Sequence, residues 1–288
     1  MTLVSIGLPT YNGGGHLEKT VLSVLAQDHR NLELIISDNA STDDTEEVCR
    51  DLAASDSRIV YRRQPENIGP IGNFTTALAL AKGEFFRWVG DDDTLEPHCI
   101  SRSLAEFAAD ERLVLVTAQT AYTAGGVTET GAYEGTALNS DDPAERFAEM
   151  LRLLTESYVL MDPLYGVHRT EVARAVPRPV LVREDEIAAA RHALAGPWAH
   201  VPEVLSHRTW AGANPVKMSG KLSLPAWRGY FATLIQVRVL LAILDEAGLT
   251  PDQRRRARTA VLKLYLARQR RLAARGGRKI ARLARLPH

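Results

Sequence analysis

Glu84-Phe85-Phe86-Arg87-Trp88-Val89-Gly90-Asp91-Asp92-Asp93 is the stretch that decides the fold. Residues 84–89 are apolar enough for a buried strand, and the run ends in three adjacent carboxylates. Acids side by side repel one another, and nothing in folding asks for three of them at the end of a buried strand. The carboxyl edge of a parallel sheet, however, is where open α/β folds bind ligands. Hard oxygen donors there suit Mg2+ or Mn2+, and a divalent ion would in turn hold phosphate oxygens. The competing reading is a solvated turn in which Asp93 and Thr94 cap a helix beginning at Pro97.

Outward from this stretch, the first 118 residues alternate short apolar runs with helical periodicity. Strands are predicted over 3–8, 32–37, 58–62, 84–89 and 113–117. Between them, Leu17, Val21, Val24 and Leu25 fall on one helical face. A second helix is expected to open at Ser41, a third to cover 73–82 and stop at Gly83, and a fourth to start at Pro97. Such alternation argues for parallel βαβ units covered on both faces. After residue 118 the pattern weakens. Residues 122–139 read as a hairpin or loop, 143–154 and 186–194 as helices, and 196–208 as one or two short strands. Helices are expected over 227–244 and 252–274.

Three further clusters carry chemistry. Ser37-Asp38-Asn39-Ala40-Ser41-Thr42-Asp43 ends the second strand, and Asp38 precedes the cap, so capping does not explain it. It is placed to accept a hydrogen bond from a nucleobase; an Asx-type turn is the alternative. Pro9-Thr10-Tyr11-Asn12-Gly13-Gly14-Gly15 follows the first strand. Its glycines match neither GxGxxG nor GxxxxGK[ST], which excludes a dinucleotide fingerprint and a P-loop; Tyr11 is a candidate to stack on a base, with ordinary packing at a strand exit as the alternative. Glu184-Asp185-Glu186 opens a helix, where the dipole alone favours acids. Downstream, His207-Arg208 ends a strand and offers a ligand for metal or phosphate.

Equal numbers of basic and acidic residues, 35 each, give a formal charge of zero by cancellation. Residues 254–288 hold 13 Lys and Arg and no carboxylate, which leaves residues 1–253 at −13. The acidic body argues against nucleic acid as a partner. The basic segment is open to three readings: peripheral contact with an anionic membrane, docking onto the body within one chain or across a homo-oligomer, or a solvated end. The longest aliphatic run, residues 239–244, is far too short to cross a bilayer, and neither a leader nor a disulfide framework is expected from the sequence. A reducing cytoplasmic setting, with peripheral attachment at the inner membrane face as an option, fits two lone cysteines, Cys49 and Cys99.

Taken in order, Val4-Ser5-Ile6-Gly7-Leu8-Pro9-Thr10-Tyr11-Asn12, the Ser37–Asp43 cluster, Asn67-Ile68-Gly69 and Asp91-Asp92-Asp93 with Pro97 resemble a family 2 glycosyltransferase. The resemblance is strong over 3–118 and looser to about 215. It implies a GT-A fold: a mostly parallel, Rossmann-like sheet with helices on both faces, here followed by a C-terminal helical extension. It also implies transfer of a sugar from a nucleotide diphosphate donor, typically UDP-linked, with inversion and with Mg2+ or Mn2+, as in hexosyltransferases. Carried over by position, Pro9, Thr10, Tyr11, Asn12 and Asn67 would line the nucleotide-sugar site and Asp38 would hold the base. Asp91 would lie near the ribose and Asp92 would bind the metal, with Gly90 standing where many members have Asp. Asp185 would be the general base, with His207 and Arg208 facing the metal or diphosphate.

The implied division is a catalytic domain over 1–215, split into a donor half (1–118) and an acceptor and base half (119–215), and an extension over 216–288. The acceptor, whether glycan, lipid-linked or small natural product, should be set by residues 154–165 and the C-terminal helices, with Tyr158, Trp198, Trp210 and Trp227 as candidate sugar platforms. Two alternatives remain at this point. A sugar-phosphate nucleotidyltransferase would want Lys or Arg beside the first strand, and 10–15 has neither. A non-catalytic sugar-binding relative would not need every motif carboxylate.

Overall fold

The alternation expected over the first 118 residues is present in the computed structural model, which describes residues 2–156, 160–209 and 214–283, with side chains as far as 274. The strands are β1 (Val4–Thr10), β2 (Leu32–Asp38), β3 (Ile59–Arg63), β4 (Phe85–Trp88), β5 (Thr94–Leu95), β6 (Leu115–Ala124), β7 (Val127–Thr130), β8 (Val167–Arg169) and β9 (Trp198–Thr209). The helices of the first half are α1 (Leu17–Leu25), α2 (Thr45–Ser55), α3 (Gly69–Leu80) and α4 (Cys99–Ala109). Those of the second half are α5 (Pro143–Glu156), α6 (Thr170–Ala175), α7 (Glu184–Ala195), α8 (Pro215–Lys221), α9 (Ala226–Tyr230), α10 (Ala232–Glu246) and α11 (Pro251–Leu283).

One sheet runs in the order β3-β2-β1-β4-β8-β6-β9-β5, with β7 hairpinned onto β6. The first four strands are parallel, β8 is antiparallel to both its neighbours, and β9 is again parallel to β6. Strand alternation divides the core: Leu34 and Ile36 join the cluster with Leu17, Val21 and Phe107, whereas Ile35 joins Ala77, Phe86 and Trp88 on the other face. Both faces are therefore covered, as the βαβ pattern requires. Register sets the functional edge, because Thr10 lies opposite Asp38 and both end their strands.

Several boundaries differ from the sequence expectation for identifiable reasons. Ser41 does not start α2, because its hydroxyl and amide both bind Asp38; the helix begins at Thr45. Gly83 is not a helix cap. A Cβ there would come within 2.7 Å of Leu3 O and Ser5 N, so glycine serves the entry of β4. In place of one or two short strands over 196–208 there is one long strand, Trp198–Thr209, with register shifts around Gln119 absorbing its irregularity. The expected 227–244 helix breaks at Phe231 into α9 and α10.

The basic C-terminal segment docks onto the body. Ala257, Ala260, Val261 and Leu264 of α11 share an apolar cluster with Phe147 and Leu151 of α5, Ile187 of α7 and Leu240 of α10. Arg256 pairs with Asp142 at 2.6 Å and Arg258 with Asp245 at 2.7 Å, so part of the charge asymmetry is neutralised within the chain. Cys49 and Cys99 are buried and free. Among the described residues no helix is long and apolar enough to cross a membrane.

Candidate active site

Two loops at the carboxyl edge are stitched together before any ligand arrives. Asn12 and Ala40, with φ of 57° and 59°, occupy the left-handed region, which costs a non-glycine residue about 1–2 kcal/mol each. Cross-links hold them there: the Asn12 amide donates to Ser41 Oγ (2.9 Å), the Thr42 amide to Asn12 Oδ1 (2.9 Å) and the Gly13 amide to Thr45 Oγ1 (2.9 Å). Strain retained by surrounding bonds is characteristic of working sites. Pro9 is buried in β1, while Tyr11, 48% exposed, keeps an open face.

Asp38 is fully buried with both oxygens engaged. Oδ1 accepts from the Ser41 amide (2.9 Å) and hydroxyl (2.5 Å), and Oδ2 from the Tyr61 hydroxyl (2.8 Å), with Arg63 Nε at 3.5 Å. Here it organises the loop; contact with a base would require one of these bonds to yield. Asn67 Oδ1 accepts from Asn39 Nδ2 and the Gly69 amide, both at 2.9 Å, and so shapes the start of α3.

The three aspartates diverge sharply. Asp91 accepts from Thr10 Oγ1 (2.6 Å), with His16 Nε2 3.7 Å away; burial nevertheless raises its carboxyl above the ordinary value, and Asp92 adds to this. Asp93 is buried and accepts from Arg208 Nε at 2.8 Å, but burial outweighs the arginine and raises its carboxyl too. Its Oδ1 has no hydrogen-bond partner among the described residues. Asp92 alone is exposed. One free carboxylate beside an orphaned carboxylate oxygen fits Mg2+ or Mn2+ held largely through substrate phosphates, not a cation caged by the protein. Among the described residues no group of three or more His, Cys, Asp or Glu is arranged to hold a metal. Gly90 leaves room for this cluster, since a Cβ there would lie 2.6 Å from Asp93 Oδ2.

Asp185 lies on a different element, in the first turn of α7, and faces a cavity of about 500 Å3 lined by α3, α7, α8, α10 and α11. Asp185 is exposed at the wall of this cavity, with protein crowded around it. That crowding, with Glu186, Glu184 and Asp162 nearby, pushes its pKa up to about 7. The flanking acids are fixed. Arg178 Nε binds Glu184 at 2.8 Å, and Glu186 is held by Arg183 (2.6 Å), Arg268 and Gln236. Burial acts to raise Glu186, yet Arg268 and Arg183 prevail and hold it below the ordinary carboxylate range. Arg183 enters the helix at φ 68°, a third strained residue at a motif.

Arg208 connects the two regions. Its guanidinium binds Asp93 on one side and Asp162 on the other and lies 3.6 Å over the Tyr165 ring. It is therefore an internal strut between β9 and the aspartate loop. Asp162 in turn contributes to the upward shift of both Asp93 and Asp185. His207 is not brought into the aspartate cluster as a metal ligand. The alternation of β9 turns it to the opposite face from Arg208, where Nε2 lies 2.8 Å from Glu96 Oε1. Trp198 is core, Trp227 is exposed, and Tyr158 and Trp210 lie outside the described residues.

Sequence reading missed Asp162, Arg178, Thr20 and Asn73. Thr20 Oγ1 reaches the carbonyls of Asp91 (2.9 Å) and Asp93 (2.7 Å). Asn73 Nδ2 reaches those of Ser37 (2.7 Å) and Thr10 (3.2 Å). The available signal was a polar residue on an apolar helix face: Thr20 beside Leu17, Val21 and Val24, and Asn73 beside Ile71 and Ala77. Asp162 and Arg178 carried no local signal.

Gly13 provides a direct probe of the edge. A Cβ there would fall 2.4 Å from Thr10 Oγ1 and 2.8 Å from Asp91 Oδ2. Gly13→Ala is expected to displace Asp91 while leaving the fold intact. Nucleotide affinity by titration should fall by roughly tenfold, the equivalent of one lost hydrogen bond to a charged group, with the thermal midpoint nearly unchanged. An unaltered affinity would detach this edge from ligand binding.

Comparison with known proteins follows the same outline. Residues 5–164 match the family described as Glycosyl transferase family 2. The chain is 42% identical over 96 residues to the GalNAc(5)-diNAcBac-PP-undecaprenol beta-1,3-glucosyltransferase of Campylobacter jejuni, covering 33% of this chain and 31% of that protein. It is 42% identical over 97 residues to the abequosyltransferase RfbV of Salmonella typhimurium, covering 32% and 29%. The match thus spans less than a third of either relative. In three dimensions the chain resembles S. aureus TarS in complex with UDP-GlcNAc, at a TM-score of 0.69 and 17% identity over 93% of this chain and 73% of that one. It also resembles the mannosyltransferase PcManGT of Pyrobaculum calidifontis in complex with GDP-Man and Mn2+, at a TM-score of 0.54 and 17% identity over 93% and 86%. At such identities the structural likeness speaks for the GT-A fold alone.

Proposed function

The chain belongs to glycosyl transferase family 2, and from that premise we propose that it moves a sugar from a nucleotide diphosphate donor, UDP-linked by preference, onto an acceptor hydroxyl with inversion. Residues 1–215 would form the catalytic unit, with 216–288 as an extension that completes the acceptor side. The observation that carries this reading is the position and state of Asp185. It is a carboxyl near pKa 7 at an open cavity, electrostatically tied through Asp162 and Arg208 to the aspartate edge.

In the proposed reaction Tyr11, Thr10 and Asn12 receive the nucleoside, while Asp91, already oriented by Thr10, meets the ribose. Asp92, with Asp93 behind it, would hold Mg2+ or Mn2+, which when bound supplies Lewis-acid stabilisation of the departing diphosphate. Asp185 accepts the proton of the attacking acceptor hydroxyl from the cavity side. The separation of base and diphosphate onto different elements suits attack opposite the leaving group. Arg178 and Arg183 keep Glu184 and Glu186 away from the acceptor, so one carboxylate does the proton transfer. The undecaprenol-linked glycan in the name of the Campylobacter jejuni relative supports a glycan or lipid-linked acceptor.

The test is release of UDP from a panel of UDP-sugars with Mn2+, followed against pH. Asp185 titrates upward from the ordinary value, so it is protonated and inactive below about pH 6 and becomes a base as pH rises. The ratio kcat/KM should therefore rise through a midpoint near 7. Glu184→Gln removes a negative neighbour and frees the Arg178 cation, and both changes should move that midpoint down. A flat profile, or pyrophosphate release from a nucleoside triphosphate and a sugar phosphate instead, would favour the nucleotidyltransferase reading.

A further inference from the structure

The helices α9 and α10 carry a stripe that the packing of the chain does not account for. Trp227, Tyr230, Phe231 and Leu234 stand at i, i+3, i+4 and i+7 in sequence, spanning the break at Phe231 between α9 and α10. They are nonetheless 54%, 75%, 54% and 47% exposed. The core side of α10 is already supplied by Ala232, Gln236, Leu240, Ile243 and Leu244, so the stripe is surplus to folding. Next to it, α8 is drawn tight against α9, where a Cβ on Gly229 would meet Val216 Cα at 2.6 Å; Met218 of α8 is exposed as well.

Along residues 204–244, which carry the stripe, the charges have one sign, although Glu184, Asp185 and Glu186 line the adjoining cavity. Lys217, Lys221 and Arg238 are exposed, and the Arg228 guanidinium lies 5.6 Å over the Trp227 ring. Between Glu203 and Asp245 the sequence contains no carboxylate at all, within a body that is otherwise strongly acidic.

We propose that α8, α9 and α10 form a docking surface for an anionic lipid bilayer. Trp and Tyr prefer the headgroup level, Phe and Leu reach the acyl boundary, and Lys and Arg meet anionic headgroups. A second copy of this chain is a poorer occupant, because a two-fold contact would set the same uncompensated cations face to face. The surface also adjoins the Asp185 cavity: Met218 and Thr233, from two of the same helices, line that cavity together with Arg271 and Leu272 of α11. A bilayer on this face would bring the hydroxyl of a membrane-anchored acceptor to the cavity mouth. That consequence rests on the glycosyltransferase reading; the docking itself does not.

The test uses the full chain with phosphatidylcholine vesicles and with vesicles containing phosphatidylglycerol. Co-sedimentation is read alongside Trp emission, which should shift to shorter wavelength. Partition onto the anionic vesicles should exceed that onto neutral ones by at least roughly tenfold, and Y230E/F231E should lose at least roughly tenfold of it. UDP release measured without vesicles should be unchanged in that variant. L262E/L266E, at exposed positions of α11, should bind vesicles as the wild type does. Equal binding by wild type and Y230E/F231E, or loss in L262E/L266E alone, overturns the proposal. So does a wild-type dimer that binds no vesicle and becomes monomeric in Y230E/F231E. Vesicle binding without nucleotide-sugar turnover would leave the docking surface standing and remove the catalytic reading.

Discussion

Asp185→Ala is expected to lower sugar transfer by about 10²–10⁴-fold, the usual contribution of a positioned general base. Nucleotide binding should be retained. The carboxylate sits on α7, in a cavity whose lining includes none of the proposed nucleotide-binding residues Pro9–Asn12, Asp38 or Asp91–Asp93. Its removal should not cost stability either. Glu184, Glu186 and enclosure all disfavour its charge, so the folded chain loses a group that it holds at some expense. Asp185→Asn, equal in shape and uncharged, should be as inactive as the alanine variant. A fall in activity accompanied by a fall in thermal midpoint would point instead to a structural role.

The second large effect is expected at Asp92. Its side chain is exposed, unlike its neighbours, so Asp92→Ala should change stability by no more than about 0.5 kcal/mol. Activity should nonetheless drop by roughly 10²–10³-fold, as when a single stabiliser of transition-state charge is removed. Raising the Mn2+ concentration should not restore it. The same experiment at Asp93 would be uninformative. Asp93 is buried against Arg208, which also spans to Asp162, and breaking a buried pair costs about 3–5 kcal/mol whatever the chemistry. Adjacent aspartates thus separate by environment into one free donor and two that are structurally committed.

This separation shows where the sequence was legible. Residues 4–12, 37–43 and 84–93 carry strand, turn and ligand signals within a few positions, so the parallel sheet and its functional edge could be placed from pattern alone. Contacts across the chain could not. Nothing local ties Arg208 to Asp162, 46 residues earlier, so its role as a strut is not visible in the sequence. His207 was grouped with Arg208 because they are neighbours in sequence, although neighbours on a strand face opposite ways. Ser41 reads as a helix cap until its hydroxyl is seen to be held by Asp38. The basic tail was ambiguous because its apolar positions fit docking and membrane contact equally. The buried pairing of Arg268 with Glu186 shows the segment docked as far as Arg268, while the aromatic stripe of α9 and α10 stays exposed, as do Leu262, Leu266 and Leu272 of α11.

Titration of UDP into wild type, Asp92→Ala and Asp185→Ala, each with and without Mn2+, tests the division of labour most directly. The account predicts that Mn2+ tightens UDP binding in wild type and equally in Asp185→Ala, and that Asp92→Ala loses the tightening while keeping the weak metal-free affinity. Equal Mn2+ enhancement in Asp92→Ala, or its loss in Asp185→Ala, would contradict the assignment of diphosphate binding to one element and proton transfer to the other.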